Sequence, residues 1–376
     1  MKNLIFFVIT IAGGILLTDC SGRKFQTTLR PLPTDIAMYG RVASHEFYDS
    51  SVFSFPLKKV WEYDASAGFG TGTPVIIGTT MFFGTLQGEL HAINAETGTR
   101  IGFFKTFSPV QASPILFHSL LVYATESGKE NLVAYRPSDE EEMWVKDLGG
   151  VVASPVVADN HLIVGGLNGE LVSYDQFGKE EWSVDTKAPI RSSPCAWKDT
   201  VFCASTNGIV YAINIEKGEV KWKFSTGTSI YAGLTVANGT VIIASRDSSV
   251  YLVEASSGKL MKRIQLRNKI MATPSVSDST FYVSSLDGLV TAFRLHDGEK
   301  IWQFAAKSVI NTTPFVTPKA IFIASLDKFL YALSPNDGSI MWKTEIPARI
   351  KTTPLVWKNS LYLAAEDKTI YCFRSE

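Results

Sequence analysis

A small residue followed by proline recurs about every 40 residues along the chain, and this period is the strongest limit on the fold. The pairs are Thr73-Pro74, Ser113-Pro114, Ser154-Pro155, Ser193-Pro194, Thr273-Pro274, Thr313-Pro314 and Thr353-Pro354, with Gly233-Leu234 at the one remaining place. Repeats of this length stack into solenoids or close into propellers. We therefore expect the 376 residues to form one repeat body, although their number alone suggests two or three domains.

Each repeat contains four short apolar runs that are separated by tight turns. Asn238-Gly239 and Ser205-Thr206-Asn207-Gly208 are typical of turns between antiparallel strands. A glycine at a fixed offset, such as Gly218, precedes a fourth run that is centred on tryptophan, such as Trp222. Four strands joined in this way make one propeller blade, and no stretch beyond the N-terminus has helical periodicity. The sequence therefore predicts an all-β protein built from four-stranded antiparallel blades.

The two ends of the chain hold complementary parts of one repeat. The eighth unit, residues 352–374, stops before its tryptophan strand, and a copy of that strand centred on Trp61 precedes the first complete repeat. We expect residues 57–65 to complete the eighth unit, because pairing of the two ends leaves no open repeat face. This predicts an eight-bladed β-propeller over residues 57–376, with Trp61 in the closing strand. An open solenoid, which is the alternative, does not explain the split repeat.

The N-terminal segment has the features of an export signal. A short basic start precedes an uncharged apolar stretch, Leu4 to Leu17, that is too short to span a bilayer as a helix. Leu-Thr-Asp-Cys then ends at Cys20 and resembles a bacterial lipobox, apart from its aspartate. We predict a signal peptide over residues 1–20 and lipidation of Cys20, with an uncleaved anchor or plain secretion as alternatives. By the same resemblance Ser21 indicates the outer membrane, and residues 21–56 are predicted to form an extended tether.

Charge and histidine placement argue against several function classes. Lysine plus arginine and aspartate plus glutamate both number 36, so the chain lacks the basic excess of nucleic-acid-binding proteins. None of the five histidines has a second ligand at metal-site spacing, and no nucleophile elbow or phosphate-binding loop occurs. We therefore expect no nucleic-acid partner, no metal site and no catalytic residue.

The turn and the tryptophan of the repeat resemble those of a known family. Residues 336–342 (Asn-Asp-Gly-Ser-Ile-Met-Trp) and 215–222 (Ile-Glu-Lys-Gly-Glu-Val-Lys-Trp) are similar to the repeat of quinoprotein-type, or PQQ-repeat, propellers. Seven units carry this motif in some form. The resemblance implies that the glycine turn and the tryptophan dock neighbouring blades. It also implies that, in the enzymes of the family, a cofactor lies over the central channel.

Two rings of residues are predicted at the mouth of that channel. The positions four residues before the proline are almost all apolar and are expected to pack. The positions three residues before it include two cations and no carboxylate; they are Thr71, Gln111, Val152, Arg191, Tyr231, Met271, Asn311 and Lys351. The related quinone-dependent dehydrogenases use Ca²⁺, which needs roughly six to eight oxygen ligands, several of them carboxylates. We therefore expect no cofactor, and a PQQ-dependent oxidoreductase is the least favoured of three functions.

The whole chain also resembles BamB-type lipoproteins of the β-barrel assembly machinery, in its length, its lipobox-like start, its eight repeats and the Pro-Leu-Pro-Thr of residues 31–34. The resemblance implies a non-enzymatic, lipid-anchored scaffold at the periplasmic face of the outer membrane, bound to a membrane protein of a β-barrel assembly complex. In that family a loop between blades contacts the partner, and its nearest match here contains Ile190 and Arg191. The alternative is an extracytoplasmic ligand-binding or sensor propeller with the channel mouth as its site.

Overall fold

Eight four-stranded antiparallel sheets contain all the strands of the described part of the chain, as a computed structural model of residues 27–32 and 34–375 shows. The prediction of an all-β, eight-bladed propeller is confirmed. Over the same residues, nothing helical has the length and apolarity needed to traverse a bilayer. Residues 1–20, and Cys20 with them, lie outside the described residues, so the signal peptide and the lipidation stay predictions.

The strands run from the inside of each blade to the outside in chain order. β1 (Leu57–Asp64) precedes the first complete blade. Blade 1 contains β2 (Val75–Ile77), β3 (Thr80–Gly84), β4 (Glu89–Asn94) and β5 (Arg100–Lys105). Blade 2 contains β6 (Ile115–Phe117), β7 (Leu120–Ala124), β8 (Leu132–Arg136) and β9 (Glu141–Lys146). Blade 3 contains β10 (Val156–Ala158), β11 (His161–Gly165), β12 (Glu170–Tyr174) and β13 (Glu180–Asp185). Blade 4 contains β14 (Cys195–Trp197), β15 (Thr200–Ala204), β16 (Ile209–Asn214) and β17 (Val220–Ser225).

The other four blades repeat this arrangement, with one exception in the last. Blade 5 contains β18 (Thr235–Ala237), β19 (Thr240–Ala244), β20 (Ser249–Glu254) and β21 (Leu260–Gln265). Blade 6 contains β22 (Ser275–Ser277), β23 (Thr280–Ser284), β24 (Leu289–Arg294) and β25 (Lys300–Ala305). Blade 7 contains β26 (Phe315–Val316), β27 (Ile321–Ala324), β28 (Phe329–Leu333) and β29 (Ile340–Glu345). Blade 8 contains β30 (Leu355–Trp357), β31 (Ser360–Ala364) and β32 (Thr369–Ser375), and β1 is its outermost strand.

The small residue of the Ser/Thr-Pro pair, or Gly233 in its place, joins neighbouring blades at five junctions. Its backbone N–H donates a hydrogen bond to the hydroxyl of the corresponding residue one repeat later. Five such bonds are present: Thr73 N to Ser113 Oγ (2.7 Å), Ser113 N to Ser154 Oγ (2.9 Å), Ser154 N to Ser193 Oγ (3.0 Å), Gly233 N to Thr273 Oγ1 (2.9 Å) and Thr313 N to Thr353 Oγ1 (3.1 Å). Because these hydroxyls are buried, each bond satisfies a donor that would otherwise be costly to bury.

The tryptophans of the outer strands make a second set of contacts between blades. Each indole Nε1–H donates to a carbonyl in a turn of the next blade: Trp61 to Glu96 (3.1 Å), Trp144 to Gln176 (3.3 Å), Trp182 to Ile215 (2.6 Å), Trp222 to Ala255 (3.0 Å) and Trp302 to Pro335 (2.8 Å). The turn glycine lies under the ring. At Gly218, φ is +68° and a Cβ would lie 2.7 Å from the Trp182 side chain, so both the backbone and the packing require glycine.

The ring closes through the two ends of the chain. β1 pairs antiparallel with β32, and a bulge between Lys59 and Trp61 shifts their register. Trp342 has no glycine turn to dock on in this split blade and stacks instead on Phe55, with the ring centroids 6.1 Å apart. Closure by the N-terminal strand is therefore confirmed. We call the pairing of β1 with β32, which contains Trp61, the seam.

The structure corrects the prediction of a free tether for most of residues 27–56. Ile36, Phe47 and Phe53 are buried, and their segment follows the inner strands of the blades. Backbone N–H groups of six inner strands donate to its carbonyls: Ile76 to Ile36, Leu116 to Ala37, Ala196 to Ala43, Val236 to Ser44, Val276 to Glu46 and Val316 to Phe47, at 2.7–3.0 Å. We call residues 36–53 the channel segment. Innermost strands have a free edge, and the segment supplies the acceptors that this edge lacks.

Side chains of the channel segment form a small cluster of their own. The rings of Tyr39 and Phe47 meet edge to face at 4.9 Å, and Tyr39 meets His45 at 5.1 Å. The Nδ1 of His45 lies 3.0 Å from the carbonyl oxygen of Leu234. Gly40, with φ +70°, lets the chain turn against His45, because a Cβ there would lie 2.7 Å from the His45 Cα. The segment is therefore a folded part of the core.

Candidate functional site

All eight residues of the predicted mixed ring line a single cavity at the mouth of the channel. The cavity has a volume of about 420 Å³. Its wall contains Thr71, Gln111, Val152, Arg191, Tyr231, Met271, Asn311 and Lys351. These residues precede the inner strands of eight successive blades, so the repeat period alone brings them to one place. We call the side of the propeller on which they lie the mouth face.

The floor of the cavity comes from two sources. One is the ring of small residues in the Ser/Thr-Pro pairs, including Ser154, Ser193 and Thr273. The other is Tyr39 of the channel segment, whose hydroxyl lies 2.9 Å from Thr273 Oγ1. Burial raises the pKa of the Tyr39 hydroxyl, so it remains a neutral phenol. No sequence signal identified Tyr39, because it lies outside the repeats in the segment that was predicted to be a tether.

The two residues predicted to contact a partner lie in different environments. Ile190 is completely buried and packs against Gly165, where a Cβ would lie 2.4 Å from the Ile190 Cγ2. Its side chain is therefore unavailable to a partner, and that part of the prediction is wrong. Arg191, the next residue, is exposed and lines the cavity. Ile190 belongs to the apolar ring beneath the mouth, with Val110, Ile230 and their counterparts, and acts in packing.

The charges around the cavity are unevenly paired. Lys351 forms an ion pair with Glu366, which also accepts a hydrogen bond from Arg349 Nε at 2.6 Å. Both bonds lower the pKa of the Glu366 carboxyl, and the bond from Lys351 has the larger effect. Across the cavity, the Arg246 guanidinium lies over the Tyr231 ring, 4.9 Å from its centroid. Within the described residues, neither Arg191 nor Arg246 forms an ion pair.

The donor set at the mouth does not fit a calcium-bound quinone cofactor. No carboxylate lines the cavity, and Ca²⁺ is held in proteins largely by carboxylate and carbonyl oxygens. The nearby Glu126 accepts a hydrogen bond from Gln111 Nε2 at 2.7 Å, and Glu366 is held by Lys351. Across residues 27–32 and 34–375, no three side chains of His, Cys, Asp or Glu cluster as a metal site would require.

A second feature of the mouth face is an exposed aromatic residue. Phe107 lies in the loop between blades 1 and 2, where its side chain is 88% exposed and its φ is +58°. The corresponding positions in five other loops hold Lys187, Gly227, Arg267, Lys307 and Pro347, and in the remaining two they hold the buried Ala67 and Leu148. A positive φ is unfavourable for a bulky residue, and an exposed phenyl ring is not needed for the turn.

Apolar neighbours extend this feature into a small patch. The backbone of Thr106 donates to the Gly88 carbonyl at 2.8 Å, which places Phe107 beside the turn that carries the exposed Leu86. Leu86 and Phe69 in turn line a groove of about 340 Å³ whose opposite wall contains Arg349. We call Phe69, Leu86 and Phe107 the mouth-face patch. Leu86 and Phe107 are exposed and Phe69 is half-buried, and apolar side chains grouped in this way are typical of protein contact surfaces.

Known proteins with similar sequences and folds include both assembly factors and dehydrogenases. The outer membrane protein assembly factor BamB of Marinobacter adhaerens is 30% identical over 108 residues, which are 28% of this chain and 27% of that protein. The quinoprotein alcohol dehydrogenase PedH of Pseudomonas putida is 26% identical over 130 residues, 30% of this chain and 22% of the enzyme. The chain thus matches about a quarter of the length of each relative.

A solved structure shares the fold over most of the chain. BamB from Moraxella catarrhalis superposes with a TM-score of 0.72 at 19% identity, over 85% of this chain and 100% of that one. A family profile described as outer membrane protein assembly factor BamB matches residues 128–231, 222–320 and 286–376. These stretches run together from residue 128 to the end and cover more than half of the chain. The chain, a PQQ-repeat propeller of eight blades, therefore belongs to the family of the outer membrane protein assembly factor BamB.

Proposed function

We propose that this protein is a non-enzymatic scaffold of outer-membrane β-barrel assembly, which holds a membrane protein of the assembly complex against its mouth face. Membership of the BamB family supports the role. The mouth-face patch is the observation that carries the proposal, since Phe107 is exposed where most other loops place a charged or small residue. Aromatic side chains presented on rigid loops commonly dominate the affinity of protein interfaces.

The donor set supports a binding role over a catalytic one. A PQQ-dependent oxidoreductase would need carboxylates at the channel mouth, and the cavity wall supplies none. The identity to PedH extends over only 22% of that enzyme, so most of the enzyme has no counterpart in the match. Binding to a partner requires only a rigid surface, which the closed ring provides.

The proposal also includes an anchor in the outer membrane through a lipidated Cys20, with the propeller at its periplasmic face. The lipobox-like sequence and the family support it. Mass spectrometry of the N-terminal peptide of the mature protein, purified from membranes, should show a diacylglycerol-modified Cys20. A Cys20→Ala variant should leave the membrane fraction. An unmodified cysteine at the mature N-terminus would contradict the anchor and leave the scaffold role standing.

The scaffold role is tested by capture from native membranes with matched variants. Phe107→Ser should reduce the recovery of β-barrel assembly components about tenfold or more, because loss of a central aromatic contact typically costs 2 kcal/mol or more, roughly a factor of 30. Phe177→Ser is the control, since Phe177 is 76% exposed in the turn between β12 and β13 on the opposite side of the ring. Equal recovery with both variants would refute the role of the patch, and recovery of no assembly component by the parent would refute the function.

A further inference from the structure

The channel-mouth cavity is closed at its inner end by the channel segment. Tyr39 spans part of the floor, and its hydroxyl is held by Thr273. Backbone hydrogen bonds to six inner strands fix the segment below it. An open channel would let a small molecule pass, whereas this arrangement leaves a cup. Its volume of about 420 Å³ falls in the range of small-ligand pockets, roughly 300–1,000 Å³.

The wall of the cup favours negative charge. Arg191 and Lys351 line it, no carboxylate does, and Arg246 lies at its edge over Tyr231. Glu366 and Glu126 offset only part of this charge, because Glu366 already binds both Lys351 and Arg349, and Glu126 stands behind Gln111. The molecule as a whole has a net charge of zero, so the excess is local to the mouth. A concave site lined by one sign of charge concentrates ions of the opposite sign.

A residue of the cup wall, Asn311, has a buried acceptor oxygen without a donor in the described part of the chain. Asn311 Oδ1 is shielded from solvent and has no hydrogen-bond partner within the described residues. Asn311 is one of the residues that line the cavity. Leaving such an atom unpaired costs about 1–3 kcal/mol. A hydroxyl group on a ligand would pair with this oxygen once the amide turns toward the cavity, while the anionic group of the same ligand meets the guanidinium groups.

We propose that the cup binds a small organic anion that carries at least one hydroxyl group, such as a hydroxycarboxylate or a sugar or polyol phosphate. Arg191 in the wall holds the anionic group together with Arg246, which lies against the wall residue Tyr231. Asn311 accepts the hydroxyl, and Tyr39 forms the floor. The cup adjoins the groove beside the mouth-face patch at Lys351, but none of the three patch residues lines the cup. Its occupancy does not depend on the scaffold role, which goes through protein contacts.

Isothermal titration calorimetry of the full chain at low ionic strength tests the site with three probes. Citrate supplies a hydroxycarboxylate, glycerol 3-phosphate supplies a hydroxylated phosphate, and tricarballylate matches citrate without its hydroxyl. We expect saturable binding of citrate or glycerol 3-phosphate, and the tighter of the two identifies the anionic group. If citrate binds, tricarballylate should bind at least about fivefold more weakly, because Asn311 Oδ1 then stays unpaired. Glucose, which is neutral, should not bind.

Three variants connect that binding to the cup. Arg191→Gln and Arg246→Gln should each weaken anion binding about tenfold or more, because each removes a charged hydrogen bond. Arg267→Gln is the matched control, because Arg267 is an exposed arginine of the mouth face that lines a separate groove with Gln265 and Lys300. The absence of saturable binding to about 10 mM, or equal affinities of all three variants, would overturn the proposal. Phe107→Ser should bind the anion normally, so failure of the scaffold role and failure of this site are distinguishable.

Discussion

At the scale of single residues, His45 is the clearest case of a group whose charge state is set by the fold. Desolvation is the main cause of its shift and lowers the pKa of the ring to about 4, while its bond to Leu234 O acts in the opposite direction. Its Nε2 is buried and has no partner within the described residues. The folded chain therefore holds His45 neutral at pH values where the unfolded chain, with a pKa near 6.5, protonates it.

This shift predicts a loss of stability on acidification. Because the pKa is lower in the folded state, the contribution of His45 is complete above pH 6.5 and is lost as the pH falls toward 4. Between pH 7.5 and pH 5 the loss should be about 2 kcal/mol in the free energy of unfolding. Urea titrations at both pH values measure it. His45→Gln should reduce the loss of unfolding free energy between the two pH values by that amount. His296→Gln, at an exposed histidine, should leave the loss unchanged.

At the scale of elements, the blades are held to one another by tryptophan rings that lie over glycine turns. Trp182 and Trp302 are the two buried tryptophans that dock in this way, and the Nε1–H bond from Trp182 to Ile215 O is the shortest of the five, at 2.6 Å. Gly218 beneath it has a positive φ and no room for a methyl group. Blade 5 lacks the tryptophan, and Gly298 of the following blade meets Ile264 and Lys262 instead. Docking therefore tolerates a substitute for the ring. At the junction of blades 1 and 2, Gly102 and Glu140 even replace both the tryptophan and the turn glycine.

Two glycine substitutions distinguish the stability that comes from the backbone conformation of the turn from the stability that comes from packing against the indole. Gly218→Ala introduces both a strained φ and a clash with Trp182, and it should cost about 2–4 kcal/mol of the free energy of unfolding. Gly227→Ala is the control, since its φ of +73° is similar but no atom lies within 4 Å of the added Cβ. It should cost only about 1 kcal/mol. Equal losses in urea titrations would show that the indole contact contributes nothing.

At the scale of the whole molecule, stability depends on joining the two ends of the chain. β1 supplies the outermost strand of blade 8. Its Trp61 ring packs on Gly98 of blade 1 and so joins the last blade to the first. The ring therefore has no terminal repeat that would need a polar cap, which open repeat arrays require. Loss of the seam exposes the edge of β32 and frees both neighbouring blades.

Breaking the seam should lower the free energy of unfolding more than the loss of any single contact elsewhere in the outer strands. Trp61→Ala should cost about 3 kcal/mol, the lower end for large aromatic truncations, because the ring is only half-buried. Replacing residues 57–64 by a Gly/Ser linker of equal length keeps the channel segment connected while it removes the strand. Thermal unfolding should then begin well below that of the parent. A linker variant that melts like the parent would rule out closure as a source of stability.

Much of this architecture follows from the sequence, since the repeat period fixes the number of blades and places Thr71 and Lys351, neighbours across the seam, in one ring. The channel segment could not be predicted in the same way. It has no period, and its partners are backbone N–H groups on six strands that are far apart in the sequence. Ile190 was predicted both to pack in the apolar ring and to contact a partner, and its burial against Gly165 agrees only with the packing. Contacts that recur with the repeat can be predicted from one sequence, whereas contacts with a segment that has no period cannot.

The position of the channel segment and β1 has a consequence for the time course of biosynthesis. Both are made first, yet their partners include β26 of blade 7 and β32, which is the last strand of the chain. At about 5–20 residues per second, the roughly 300 intervening residues take about 15–60 seconds to synthesise. During that interval the apolar side chains of Ile36, Phe47 and Phe53 have no completed ring to enter. Newly made chains of this protein therefore need a holding factor, or a delay in folding, until the final blade has been synthesised.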